Sequence, residues 1–459
     1  MIPRSLALLV VVAAPLAAQQ LPSRAVASRL VDSLATAFVA ERQSPSVAIA
    51  LVRGGDTLAF NAWGKANIEN DVAATTRSVY RIGSVTKQFT AAAVMQLVEQ
   101  GKVKLDDSVA AYLAGLPAAW RPVTIRQLLN HTSGIPSYTD IGPAWVRRWA
   151  EEMTPDTLVA LTAAKPMDFA PGTSWKYDNT GYVLLGMVVE KVAARSWATD
   201  LTERFFKPLG LSDTRNCLVQ PLIPRRATGY QPTADGWENA VYLAMTQPYS
   251  AGALCSTIGD LTTWNRALHG GKVVSVESYK LMTTPSGPAA TAALKYGFGL
   301  GRATIGQYAV ITHGGGIHGF ITANAWIPEL QLSITVLTNS GAARADDLMA
   351  QVVRAAVGIP LVRPQTVVES TAPQRAKYVG TYALALPGAV RNLTVSERDG
   401  ELYGQMEGQG ANQMLFYGND TWGMSFDPQL RVVFEVKGDK AAKITLKQGG
   451  GSFEGPRKP

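Results

Sequence analysis

Apolar residues return every three or four positions across residues 24–43. Val26, Leu30, Leu34 and Phe38 fall on one face, and the spacing predicts a helix. Two shorter apolar runs follow, at 46–52 and 57–63. They flank Arg53-Gly54-Gly55-Asp56, the signature of a hairpin. Further helical patterns cover 89–100, stopped by Gly101, and then 124–129, 181–193 and 197–206. The stretch 330–338 reads as a buried strand and 347–357 as a closing helix. Strands near both ends of this stretch, with helices between them, predict an α+β domain whose single sheet is shared by those ends.

The pattern changes near residue 360. Pro360, Pro364 and Pro373 punctuate a segment without periodicity, read as a linker over 363–375. Beyond it, short strands at 393–395, 402–405, 432–436 and 444–446 alternate with Asp399-Gly400, Gly418-Asn419 and Gly438-Asp439. These predict a small all-β domain over 376–459. At the other end, Arg4, an apolar run over 6–14 and the small residues Ala17-Ala18 read as a secretory signal over 1–18. That run is too short for a permanent membrane anchor. The expectation is an exported protein, periplasmic or secreted, with its first domain over 19–362.

Composition narrows the class. With 47% hydrophobic and 17% charged residues the chain is not a disordered one. The net charge of +8 admits anionic partners, but the basic residues cluster only in pairs such as Arg147-Arg148, so no nucleic-acid partner is expected. Two cysteines, Cys217 and Cys255, and four histidines leave no metal-ligand pattern. Export would make a disulfide between the two cysteines chemically possible.

Three stretches carry chemistry. In Ser84-Val85-Thr86-Lys87, serine and lysine lie three apart at a helix start and share a face. A lysine whose pKa is lowered by burial can take the serine proton. In Tyr177-Asp178-Asn179, a phenol can relay a proton, and an amide offers both a donor and an acceptor. In His313-Gly314-Gly315-Gly316-Ile317-His318-Gly319, glycines let a backbone approach a ligand. This stretch also matches G-x-G-x-x-G, but 320–327 reads as a strand where a dinucleotide site needs a helix.

In this order the stretches resemble the serine β-lactamase and penicillin-binding-protein superfamily, in its class C β-lactamase, DD-peptidase and esterase branch. The pattern there is S-x-x-K, Y-x-N, then K-T-G or H-x-G. His131-Thr132-Ser133-Gly134, Pro208-Leu209-Gly210 and the segment 250–264 resemble further segments of that branch. The resemblance covers roughly residues 25–360. It implies an antiparallel sheet flanked by helices with an all-helical subdomain, and a lipocalin-like tail. It implies Ser84 as nucleophile, Lys87 and Tyr177 sharing proton transfer, and Asn179 binding the substrate's amide. The amides of Ser84 and Gly316 would form an oxyanion hole, with Gly315, His313 and Tyr138 also against substrate. His313 stands where class C β-lactamases carry a lysine; charged only in part near neutral pH, it is expected to bind carboxylate-bearing substrates better at mildly acidic pH. No cofactor is implied.

The activity expected is an acyl-enzyme serine hydrolase acting on esters, amides or D-alanyl peptides of peptidoglycan. The alternatives are a β-lactamase or a non-catalytic acyl-binding sensor.

Overall fold

This computed structural model describes residues 21–362, 367–386, 389–407, 410–425, 427–448 and 451–458. The signal segment read at 1–18 lies outside the described residues, as do positions 363–366 of the linker. The chain divides into two compact units, one up to Leu361 and one from Val362 to Pro459.

The first unit opens on α1 (Arg24–Ala40), capped by the Ser23 side chain, which accepts from the Val26 amide. The helix stops three residues before its apolar spacing does, because Arg42 turns into the left-handed region at φ 56°. The hairpin follows as β1 (Ser46–Arg53) and β2 (Asp56–Asn67), then a short β3 (Val72–Ala73). Helices α2 (Thr86–Glu99), α3 (Asn179–Ala193) and α4 (Ile258–His269) belong to the middle of the chain. The sheet resumes with β4 (Lys295–Tyr296), β5 (Gly301–Ile305), β6 (Tyr308–Ile317), β7 (Phe320–Ile327) and β8 (Leu332–Thr338), and α5 (Ala345–Val357) closes the unit. Strand order is β3-β2-β1-β8-β7-β6-β5-β4, so the early hairpin joins the late strands through β1 and β8, with Val47 opposite Thr338.

β1 is buried on both faces, which explains its unbroken apolar run. Val47, Ile49 and Leu51 pack with Val31 and Phe38 of α1 and Val352 and Val353 of α5. Ala48 and Ala50 belong to a second core with Phe89 and Val94 of α2 and Trp264 of α4. The result is a sheet between a two-helix layer and a larger helical body. Helix α2 lies inside that body, with every residue from Thr86 to Met95 buried. Phe89 stacks on Trp264 at 3.9 Å, the Trp264 indole donates to Gln88 Oε1 at 3.0 Å, and Thr90 donates to the Ser250 carbonyl at 2.7 Å. These contacts lock the rotation of α2, and with it the direction in which Lys87 points.

The second unit begins earlier than a linker over 363–375 would allow. Ala372–Tyr378 is a helix, nucleated by a reciprocal capping box between Thr371 and Gln374. Pro373 sits at its first turn, where a missing amide costs nothing. Eight antiparallel strands follow in sequential order from Gly380–Leu386 to Gly451–Pro456. A bridge between Tyr382 and Arg457, and a bond from the Lys458 amide to the Thr381 carbonyl, bring the last strand back to the first. The sheet is a nearly closed barrel around Tyr378, Trp422 and Phe434.

Candidate active site

Ser84 lies in a single 3-10 turn (Gly83–Val85) that runs directly into α2. Two glycines bring this turn against β6. A side-chain carbon on Gly315 would stand 2.0 Å from the Ile82 carbonyl oxygen, and Gly83 adopts φ 49° with its open side 3.0 Å from the Gly316 amide nitrogen. No residue with a side chain fits at 315, and an L residue at 83 would be strained. The close approach brings Ser84 and Gly316 to one cleft of about 110 Å³, which Asn179 lines as well.

Lys87 is fully buried one helical turn on. Its Nζ lies 2.8 Å from Asn179 Oδ1, 2.8 Å from the Ala251 carbonyl oxygen and 3.1 Å from Ser84 Oγ. Burial drives its pKa well below the ordinary lysine value, with ionised Asp178 opposing the shift. The two carbonyl-type oxygens can only accept. A neutral amine therefore spends both hydrogens on them, and its lone pair is left for the Ser84 O–H. That is the geometry a general base requires.

Tyr177 lies beside the same amine, whose Nζ is 4.7 Å from the ring centroid. Its hydroxyl is buried and makes no hydrogen bond of good geometry among the described residues. Burial raises its pKa against a smaller downward pull from the neighbouring Ser84 side chain. It is held as a phenol, able to pass a proton but not to start the transfer as a phenolate. Asn179 begins α3 and also donates through Nδ2 to Thr139 Oγ1 at 3.0 Å. Tyr138 forms part of the cleft wall, but its hydroxyl is spent on the Gln247 carbonyl at 2.9 Å.

His313 corrects an expectation. The motif predicts a group of variable charge facing the substrate, but His313 does not line the cleft. It is buried, its Nδ1–H donates to the Gly314 carbonyl at 2.6 Å, and its Nε2 accepts from the Tyr296 hydroxyl at 2.7 Å. Burial, and beyond it the nearby Lys87, push its pKa down to about 3. It is a neutral strut under Tyr177, whose ring centroid is 6.3 Å away. The expected result in a nitrogen-correlated NMR titration is a fixed Nδ1–H tautomer from pH 5 to 8. A midpoint inside that window would restore the charged reading.

Sequence reasoning gave no role to several groups found here. Asp178 is a buried carboxyl that accepts from Ser133 Oγ at 3.1 Å, with its other oxygen unpartnered among the described residues. Burial lifts its pKa to about 7, against the pull of the Gly181 amide, the Ser133 hydroxyl and Lys87. His131 accepts from the Asp178 amide at 3.1 Å, and its ring lies tilted against Tyr177 with centroids 4.4 Å apart. Ala251 contributes only its backbone carbonyl. Cys217 and Cys255 are both free and buried in one small cluster. Among the described residues no group of three or more His, Cys, Asp or Glu is arranged to hold a metal ion, and no helix is long and apolar enough to cross a membrane.

The model of the Beta-lactamase family matches residues 31–358. Penicillin-binding protein 4* of Bacillus subtilis (strain 168) is 27% identical over 431 residues, which covers 88% of this chain and 93% of that protein. A D-aminopeptidase of Brucella ovis is 28% identical over 328 residues. That alignment covers 70% of this chain but only 61% of the relative, so the chain spans less than two thirds of that enzyme's length. Among solved structures, a D-stereospecific amidohydrolase from Streptomyces sp. superposes with a TM-score of 0.62 at 31% identity, covering 73% of this chain and 98% of that one.

Proposed function

This chain belongs to the beta-lactamase family, and from that premise we propose that it is an exported serine hydrolase that forms an acyl-enzyme on Ser84 and cleaves esters or amides of D-amino acids. The observation that carries the reading is the buried Lys87 amine held by Asn179 and the Ala251 carbonyl within 3.1 Å of Ser84 Oγ. The similarity to a D-aminopeptidase and a D-stereospecific amidohydrolase supports the substrate class. The signal-like residues 1–18 support export.

In the proposed cycle neutral Lys87 takes the Ser84 proton as Oγ attacks the carbonyl carbon. The Ser84 and Gly316 amides stabilise the oxyanion. Tyr177 then gives its phenol proton to the leaving amine or alkoxide and is reprotonated by the Lys87 ammonium, so the departure that gives the acyl-serine leaves both groups neutral again. Water repeats the sequence: Lys87 takes its proton as it attacks the acyl carbon, and that proton returns by the same pair to Ser84 Oγ as the acid departs. A panel of D- and L-alanine p-nitroanilides, p-nitrophenyl esters and nitrocefin tests the reading. Turnover of the D-anilide or the esters, at rates above that of nitrocefin, is expected, and nitrocefin as the sole substrate would contradict it.

Asp178 sets the pH at which this cycle starts. An ionised carboxylate favours the ammonium form of Lys87, so it holds back the base. Asp178→Asn keeps the shape and the Ser133 contact and removes the charge. The acid limb of the kcat/KM profile should move to lower pH. Stability gives an independent reading. A carboxyl raised from 3.8 to about 7 on folding stabilises fully below the lower value and loses that contribution as pH rises through the upper one. The Asn variant should therefore gain in Tm relative to the parent above pH 7. An acid limb that stays put or moves upward would separate Asp178 from Lys87.

A further inference from the structure

His318 stands at the tip of the β6–β7 hairpin, in the two-residue turn His318-Gly319 between the paired Ile317 and Phe320. The turn is fixed. Gly319 takes φ 78°, and a side-chain carbon there would stand 2.6 Å from Gly229 Cα and 2.8 Å from Ala240 Cβ. The imidazole is fixed as well. Its edge-to-face contact with Trp149 places the ring centroids 4.3 Å apart, and its Nδ1 lies 2.9 Å from the Val241 carbonyl oxygen. A carbonyl only accepts, so Nδ1 carries the hydrogen, and Nε2 of the neutral ring holds a lone pair. Burial, together with the charge of Arg81, lowers the pKa of the ring and keeps it neutral at neutral pH.

The residue lines the same cleft as Ser84. With Nδ1 committed to Val241, Nε2 is the ring nitrogen left without a hydrogen-bond partner among the described residues. Tyr138, Trp145 and Leu243 give that cleft an aromatic and apolar wall. Tyr138 meets Trp145 edge to face at 5.7 Å, Trp145 meets Trp149 at 5.7 Å, and Trp149 meets His318, so a continuous aromatic run supports the histidine. None of the described residues that line the cleft is acidic. A cationic amine would find no counter-charge along that lining. An uncharged N–H suits the vacant acceptor.

We propose that His318 is a specificity-determining residue whose Nε2 accepts a hydrogen bond from an uncharged amide N–H on the acyl portion of the substrate, so that an N-acylated aminoacyl group with an apolar side chain is preferred. This rests on the hydrolase reading for its substrate and refines it. The N–H donates, the imidazole accepts, and no proton is transferred.

The test reads binding rather than turnover, so that the two claims fail separately. Ser84→Ala protein is titrated calorimetrically with N-acetyl-D-phenylalanine methyl ester and with methyl O-acetyl-D-phenyllactate, in which an oxygen replaces the N–H. The first should bind roughly threefold to tenfold tighter, the worth of one net hydrogen bond. In Ser84→Ala/His318→Phe, which keeps a ring against Trp149, the preference should fall to about one with the Kd of the phenyllactate ester unmoved. Ser84→Ala/His318→Gln, which keeps an acceptor, should retain part of it. An equal preference with and without His318, no preference in the starting protein, or both Kd values rising together would overturn the proposal. Failure of the wild-type protein to hydrolyse the N-acetyl ester, with the binding preference intact, would instead overturn the hydrolase reading alone.

Discussion

Lys87→Met is expected to lower kcat/KM for a p-nitrophenyl ester by ~10²–10⁴-fold, the range for loss of a positioned general base. The thioether side chain fills a similar volume and offers no base. What disappears is the only amine within reach of Ser84 Oγ among the described residues, held at 3.1 Å by two acceptors that fix its orientation. The loss should fall on kcat more than on KM, because the amine sits beneath the cleft rather than along its lining. Tyr177→Phe should cost less than Lys87→Met, and the double variant should be little worse than Lys87→Met alone, since one proton passes through both. A Lys87→Met enzyme within threefold of wild type would remove lysine from the mechanism. Fully multiplicative losses would show that the two residues act independently.

The side chains proposed to do chemistry can be picked out in the sequence because short motifs bind them to one another. Ser84 and Lys87 share a helical turn, and Tyr177 and Asn179 flank one helix start. The sheet was legible at β1, β2 and β8, where apolar runs are long and bounded by turn residues. Boundaries were less so. Helix α2 begins at Thr86 rather than at Phe89, because polar Thr86, Lys87 and Gln88 are buried by partners distant in sequence: Leu254, Ala251 and Trp264. The same long-range placement hid half of the site. Ala251 serves through a backbone carbonyl, which no side chain advertises. His318 matters through the turn that aims it and the Val241 carbonyl that fixes its tautomer. His313 misled for the converse reason. Its motif position suggests a group of variable charge against the substrate, whereas burial and the Tyr296 hydroxyl make it a neutral acceptor.

Ser84→Ala is expected to reduce ester turnover to the buffer background. No other described residue combines a hydroxyl with a place in this cleft, a helix start behind it and a buried amine beside it. Thr139 also lines the cleft, but its hydroxyl is engaged by Asn179 Nδ2 and by Ser137. The alanine keeps the 3-10 turn, so folding and the cleft should survive while the bond-forming atom is gone. The loss should exceed that of Lys87→Met, because a serine without its base still attacks slowly and an alanine cannot attack.

Covalent labelling tests this assignment most directly. Wild-type protein and Ser84→Ala are each incubated with a fluorophosphonate, and their intact masses are measured, with peptide mapping of any adduct. The expected result is a single phosphonyl adduct on wild type, mapped to Ser84, and an unmodified mass for the alanine variant. A stoichiometric adduct on the variant, or a wild-type adduct mapped to any other residue, would contradict Ser84 as the nucleophile and the acyl-enzyme cycle built on it.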